Sequence, residues 1–148
     1  MQPIFRTQLI WARIAPANSG FGASIPFPDQ PILAGCYVVG AESVSVDMLT
    51  FTPDQTPVTP TPADYSVSWA EGSDFRHEDV PVTELIAQLN GGVWKEYTPF
   101  VCDFQKSRVT RRGTGLLAAD EAVAFTIYYF TPDDLRNFDA LMLRLRGQ

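Results

Sequence analysis

The chain predicts an all-β, single-domain β-sandwich of the jelly-roll type spanning residues 1–148, with about eight strands and one or two short helices in the connections. Three observations carry that reading. Apolar and polar residues alternate with a period of two in short runs, the pattern of strands with one face packed inward. Eight of the 12 prolines cluster in two stretches between such runs, at 16–31 and 53–62, where they stiffen connectors. No long amphipathic helical pattern separates the runs, as a parallel α/β fold would require. A chain of 148 residues suits one domain, and folding at that size buries roughly two-thirds of the unfolded surface.

Taken in order, "IFRTQLIWARI" (4–14) sets Phe5, Leu9 and Trp11 on one parity and Ile4, Ile10, Ala12 and Ile14 on the other. This is a strand covered on both faces, with Trp11 buried. "APANSGFGASIPFPDQP" (15–31) reads as a long connector anchored by Phe21 and Phe27. Its Pro26, Pro28 and Pro31 fix φ, lack an amide donor and push the residues before them toward extended geometry. The β-rich stretch 32–51 is too long for one ordinary strand and divides near Ala41 and Glu42, with Val44, Val46 and Met48 sharing a face of the second run. Pro53, Pro57, Pro60 and Pro62 make 52–64 an exposed polyproline-like loop.

"YSVSWAEG" (65–72) alternates again, with Tyr65, Val67 and Trp69 on one side, and "DFRHED" reads as a solvated loop. A two-turn helix is expected at 83–90, capped by Thr83, striped by Leu85, Ile86 and Leu89, and stopped by Asn90 and Gly91. "VWKEYTPFVCDFQ" follows as a strand pair or a bent strand interrupted at Pro99. The cleanest strand is 122–130, with Val123, Phe125, Ile127 and Tyr129 on one parity. Thr131, Pro132, Asp133 and Asp134 open a capped helical turn, and alternating Leu141, Leu143 and Leu145 close the chain on a strand.

Eleven basic against 17 acidic residues give a net charge of −6, which argues against broad binding to nucleic acid or anionic lipid. Cys36 and Cys102 lie in apolar runs and read as reduced, buried thiols. Arg6 and Gln8 interrupt any signal-peptide core, and no apolar stretch approaches a membrane span, so synthesis and retention in a cytosol are expected.

Reactive constellations are scarce. His77 is the sole histidine, beside Asp74, Glu78 and Asp79; one His makes no zinc site of the usual kind, and the EF-hand spacing is missing. Gly20 and Gly22 are too close for a phosphate-cradling loop, and prolines rather than a helix follow. No catalytic residue, metal ligand or cofactor is assigned, and the expectation is a protein that is not an enzyme. The one concentrated positive patch holds Lys106, Arg108, Arg111 and Arg112, of which Lys106, Arg108 and Arg112 share a strand face. It suits an acidic neighbouring subunit, a lipid head group or a genome, or else a charged edge that repels unwanted strand pairing. Trp94, next to two glycines and Lys95, is the most exposed tryptophan expected, and with Tyr97 it is a candidate glycan platform.

Phe27, Pro28, Asp29 and Pro31, followed by Leu33, Val38, Val39 and Gly40 in "FPDQPILAGCYVVGAE", resemble the opening of small jelly-roll capsid proteins of tailless icosahedral bacteriophages. "AFTIYYFTPDDLRNFDALMLRLRG" is similar to the end of those proteins. The resemblance covers the first fifty or so and last thirty or so residues, and the chain departs from it at 52–64 and 83–90. It implies a non-enzymatic virion structural protein, a capsid vertex (penton) or minor capsid subunit made in the host cytoplasm. Such a subunit assembles through loops and strand edges with copies of itself, as a pentamer, and with other capsid proteins, and takes no small-molecule substrate. Phe21, Phe27, Lys106, Arg108, Arg111 and Arg112 are then the subunit-interface candidates. The alternative is a carbohydrate-binding β-sandwich module of a phage tail or surface protein, using Trp94 and Tyr97.

Overall fold

Gly72 is where the chain turns back on itself. Glu71 pairs with Asp74 across a two-residue loop, and Gly72 takes φ +61 at the first central position, a backbone state that a side chain would strain. The computed structural model describes residues 6–46, 50, 52, 61–86, 95–134 and 136–137. Its strands are β1 (Arg6–Ile14), β2 (Ser24–Pro26), β3 (Tyr37–Val44), β4 (Tyr65–Glu71), β5 (Asp74–Pro81), β6 (Lys95–Val101), β7 (Asp103–Arg111) and β8 (Glu121–Phe130).

β4 pairs with β5, β3 with β6, β2 with β7 and β1 with β8, all antiparallel. The chain is therefore one long hairpin with its tip at Gly72. Rolling that hairpin up brings β3 beside β8 and β4 beside β7, giving two four-stranded sheets of order β1-β8-β3-β6 and β2-β7-β4-β5. This is the jelly roll that the sequence predicts. The two sheets enclose an apolar core with an aromatic centre. Trp69 of β4 stacks on Phe27 at 5.6 Å and 9°, and meets Phe125 of β8 edge-on at 5.2 Å and Phe104 of β7 at 6.3 Å.

Several elements differ from expectation. The connector at 15–31 contains β2, which sits at the edge of its sheet, where Pro26 has no inner ladder to break. Pro31 starts a 3-10 turn, Pro31–Leu33. The stretch 32–51 does not divide near Ala41 and Glu42: β3 runs through both, because Ala41 faces Ile127 and Glu42 faces Thr126 in the middle of a sheet. "DFRHED" is a strand, β5, and not a loop. Its polar composition hid it, although a Gly-Ser step between two runs is a hairpin signal.

The expected helix at 83–90 is, in its described part, a 3-10 turn, Val82–Leu85, with Pro81 rather than Thr83 at its start. Ile86 is extended and bridges Ser43, and 87–90 lie outside the described residues. β6 passes through Pro99 and the chain breaks at Cys102 instead, because a register shift in the edge strand β6 accommodates the missing donor. The loop 52–64 ends in a 3-10 turn, Thr61–Asp64, whose Pro62 is buried, and 53–60 lie outside the description, as does the strand expected at the C-terminus. Trp11 is half-buried rather than buried, since Ile10, Ala12 and Ile14 take the inward face of β1. The capped turn after β8 is present: Thr131 Oγ1 accepts from Asp134 N at 3.0 Å, and Asp134 Oδ2 accepts from Thr131 N at 3.1 Å.

Candidate interaction surfaces

Six residues were expected at contacts between subunits, and the fold sorts them into three groups. Phe27 is only 5 % exposed and belongs to the aromatic core, so it is a core residue and not a contact anchor. It follows β2, whose Ile25 is buried opposite Val109, and this edge strand carries the connector into the sandwich.

Arg111 is likewise corrected. At the end of β7 its side chain turns inward, 4 % exposed, and sits with its guanidinium carbon 5.3 Å from the Tyr65 ring centre. Arg111 Nε donates to the carbonyl of Ser19 at 2.9 Å, and Nη1 lies 3.2 Å from Asp64 Oδ2. Gly113 packs on the same guanidinium so closely that a Cβ there would come within 2.5 Å of it. The Tyr65 hydroxyl donates to Glu121 Oε2 at 2.7 Å, and burial followed by that hydrogen bond pushes its phenol well above the ordinary tyrosine range. Ser19, fully buried, donates to Pro16 O and accepts from Leu117 N, both at 2.8 Å. The network ties the 15–23 connector to the 112–120 loop, and a buried cation so surrounded is structural.

Arg112 is exposed but engaged. It pairs with Asp79 and donates from Nε to Ser66 Oγ at 3.3 Å. Asp79 stands at φ +56, where β5 bulges, and the Arg112 guanidinium and then the Ser66 hydroxyl hold its carboxyl below the usual carboxylate range.

Lys106 and Arg108 are the cations left displayed. β7 bulges between Asp103 and Arg108: Ser107, fully buried, accepts from Ala70 N at 3.0 Å and donates to Asp103 O at 2.8 Å, which turns Gln105 and Lys106 out to solvent. Arg108 lies between Pro26 of β2 and Ser68 of β4 on the outer face of the sheet. Phe21 is 67 % exposed, in the loop held by Ser19, and Leu116, at 70 %, lies alongside, since a Cβ on Gly20 would sit 3.9 Å from Leu116 Cδ2. The sequence reading missed Leu116. Trp94 lies outside the described residues, and Tyr97 is in β6 with its side chain outside the description.

At the opposite end of the roll a cleft of about 360 Å³ is lined by Asp29, Gln30, Ala34, Val101, Cys102, Asp103, Phe104 and Gln105. The two thiols are unbridged and buried, and burial pushes Cys102 up to about 12. His77, inward-facing at the rim between β5 and β6, meets the Phe100 ring edge-on at 5.7 Å. Among the described residues no group of three or more His, Cys, Asp or Glu side chains converges, and no helix is long and apolar enough to cross a membrane. No family model, curated protein or solved structure matches the chain.

Proposed function

We propose that the protein is a non-enzymatic structural subunit of a viral shell, at a capsid vertex or as a minor capsid component, residing in the virion. The rolled-hairpin sandwich supports the reading, together with the capsid-like run from Phe27 to Gly40. That run forms β3 and its approach, and the proline-stiffened approach leaves less entropy to lose when a neighbour docks. All four edges carry features that discourage strand addition. β1 has paired Arg6 and Arg13, β2 has three residues ending in proline, β5 bulges at Asp79, and β6 bulges around Pro99. Contact therefore runs through side chains and loops, with Phe21 and Leu116 as apolar anchors, rather than through added strands.

Native mass measurement at micromolar concentration tests the proposal. A closed ring of subunits, weakened by Phe21→Ala and Leu116→Ala with the melting temperature unchanged, is the expected result. A monomer at every concentration would overturn it.

A further inference from the structure

Sheet β2-β7-β4-β5 carries opposite free charges at its two sides. Lys106 and Arg108, on and beside the outer face of β7, are exposed and make no ion pair or hydrogen bond with another described side chain. Along β5, at the far edge, Asp74 and Glu78 are exposed and equally unpaired, and Phe75 between them is 42 % exposed. Of the other charges nearby, Arg76 lies 3.5 Å from Glu71, Arg112 pairs with Asp79, and Asp103, at the start of β7, accepts from the Gln105 amide. A surface with donors on one flank and acceptors on the other is complementary to itself after a translation or rotation.

We infer that a second copy of this chain docks the β5 edge, through Asp74, Phe75 and Glu78, against Lys106, Arg108 and Pro26 on the β2–β7 flank of its neighbour. The inference rests on the shell-subunit reading and deepens it by naming a charged contact in addition to the apolar anchors Phe21 and Leu116. The two patches differ, so the interface is heterologous, and repeated with rotation it closes a ring. Each side brings something the other lacks. The carboxylates meet the ammonium and guanidinium, and Phe75 supplies an aromatic face for the Arg108 guanidinium, flanked by the apolar ring of Pro26. The Asp79 bulge keeps β5 from extending a ladder, so the contact is made by side chains and is screened by salt.

Charge reversal tests it, with native mass and sedimentation as the readouts and thermal melting as the folding control. Lys106→Glu with Arg108→Glu weakens self-association roughly tenfold or more, and Asp74→Lys with Glu78→Lys does the same. The chain carrying all four reversals associates again, because the patches have merely exchanged sign. Rings that form but ignore either reversal, or four reversals that fail to restore them in a folded chain, overturn this contact and leave the shell-subunit proposal standing. A wild-type monomer overturns both.

Discussion

The two ends of the roll are closed by different physics. Where β1 finishes and β8 begins, a buried arginine is enclosed by Tyr65, Gly113, Asp64 and the Ser19 carbonyl, and two loops depend on it. At the other end the groups are at the surface. Arg6, 56 % exposed, reaches Asp134 at 2.6 Å, the Thr131 cap opens a short helical turn, and a cleft remains beside Cys102. A polar group taken out of water must keep every partner or lose the full cost of its desolvation, while an exposed pair trades protein partners for water at little cost. The first end should be brittle to substitution and the second tolerant.

Arg111→Ala breaks that comparison most severely if it proves harmless. It removes the Ser19 hydrogen bond and the packing over Tyr65, and is expected to cost about 3 kcal/mol, roughly 6–12 °C in melting temperature for a domain of this size. Gly113→Ala comes next, at about 2 kcal/mol by denaturant unfolding, because the added methyl displaces a guanidinium with nowhere to go.

Tyr65→Phe removes one hydrogen bond to Glu121 and is expected to cost about 1 kcal/mol. Its pH dependence has a definite sign. The folded phenol titrates above its unfolded value, as does that of Tyr128, which is pushed up to about 12 by burial and by its hydrogen bond to Glu42. Their contributions are complete below the ordinary tyrosine value near about 10 and are lost as the pH rises through the folded values. Alkaline unfolding therefore moves to higher pH in Tyr65→Phe, and an unchanged midpoint would remove Tyr65 from the network.

Thr131→Ala probes the tolerant end and is expected to cost about 0.5–1 kcal/mol through the lost cap. Arg6→Ala should lower the melting point at neutral pH only slightly, by less than Thr131→Ala does, because the ion pair is exposed. Asp134 carries the acid-side signature. Its hydrogen bond from Arg6, then that from the Thr131 amide, holds the carboxyl far below the usual range, so its contribution stands above the ordinary carboxylate value and is lost as the pH falls through the folded one. Tyr65 thus gives the brittle end an alkaline signature, and Asp134 gives the tolerant end an acid one.

Composition and alternation were enough to determine an all-β sandwich, the inward parity of β8, the apolar side of β4 and the Thr131 cap. Each of these depends on residues close together in sequence. A strand announces itself when its burial is one-sided, and a cap when its hydroxyl sits three residues before the amide that donates to it. The polar edge strand β5 and the three-residue β2 lacked that local signature, because an edge needs no apolar period and a strand that short has none to show. The interface candidates divided for the same reason. Lys106, Arg108, Arg111 and Arg112 look alike in the sequence. Which of them points at Tyr65, which finds Asp79 and which face water depends on a bulge at Ser107 and on a connector nearly a hundred residues earlier. Phe27 and Phe21 were equally indistinguishable until the roll closed over one of them, since burial is decided by what arrives from elsewhere in the chain.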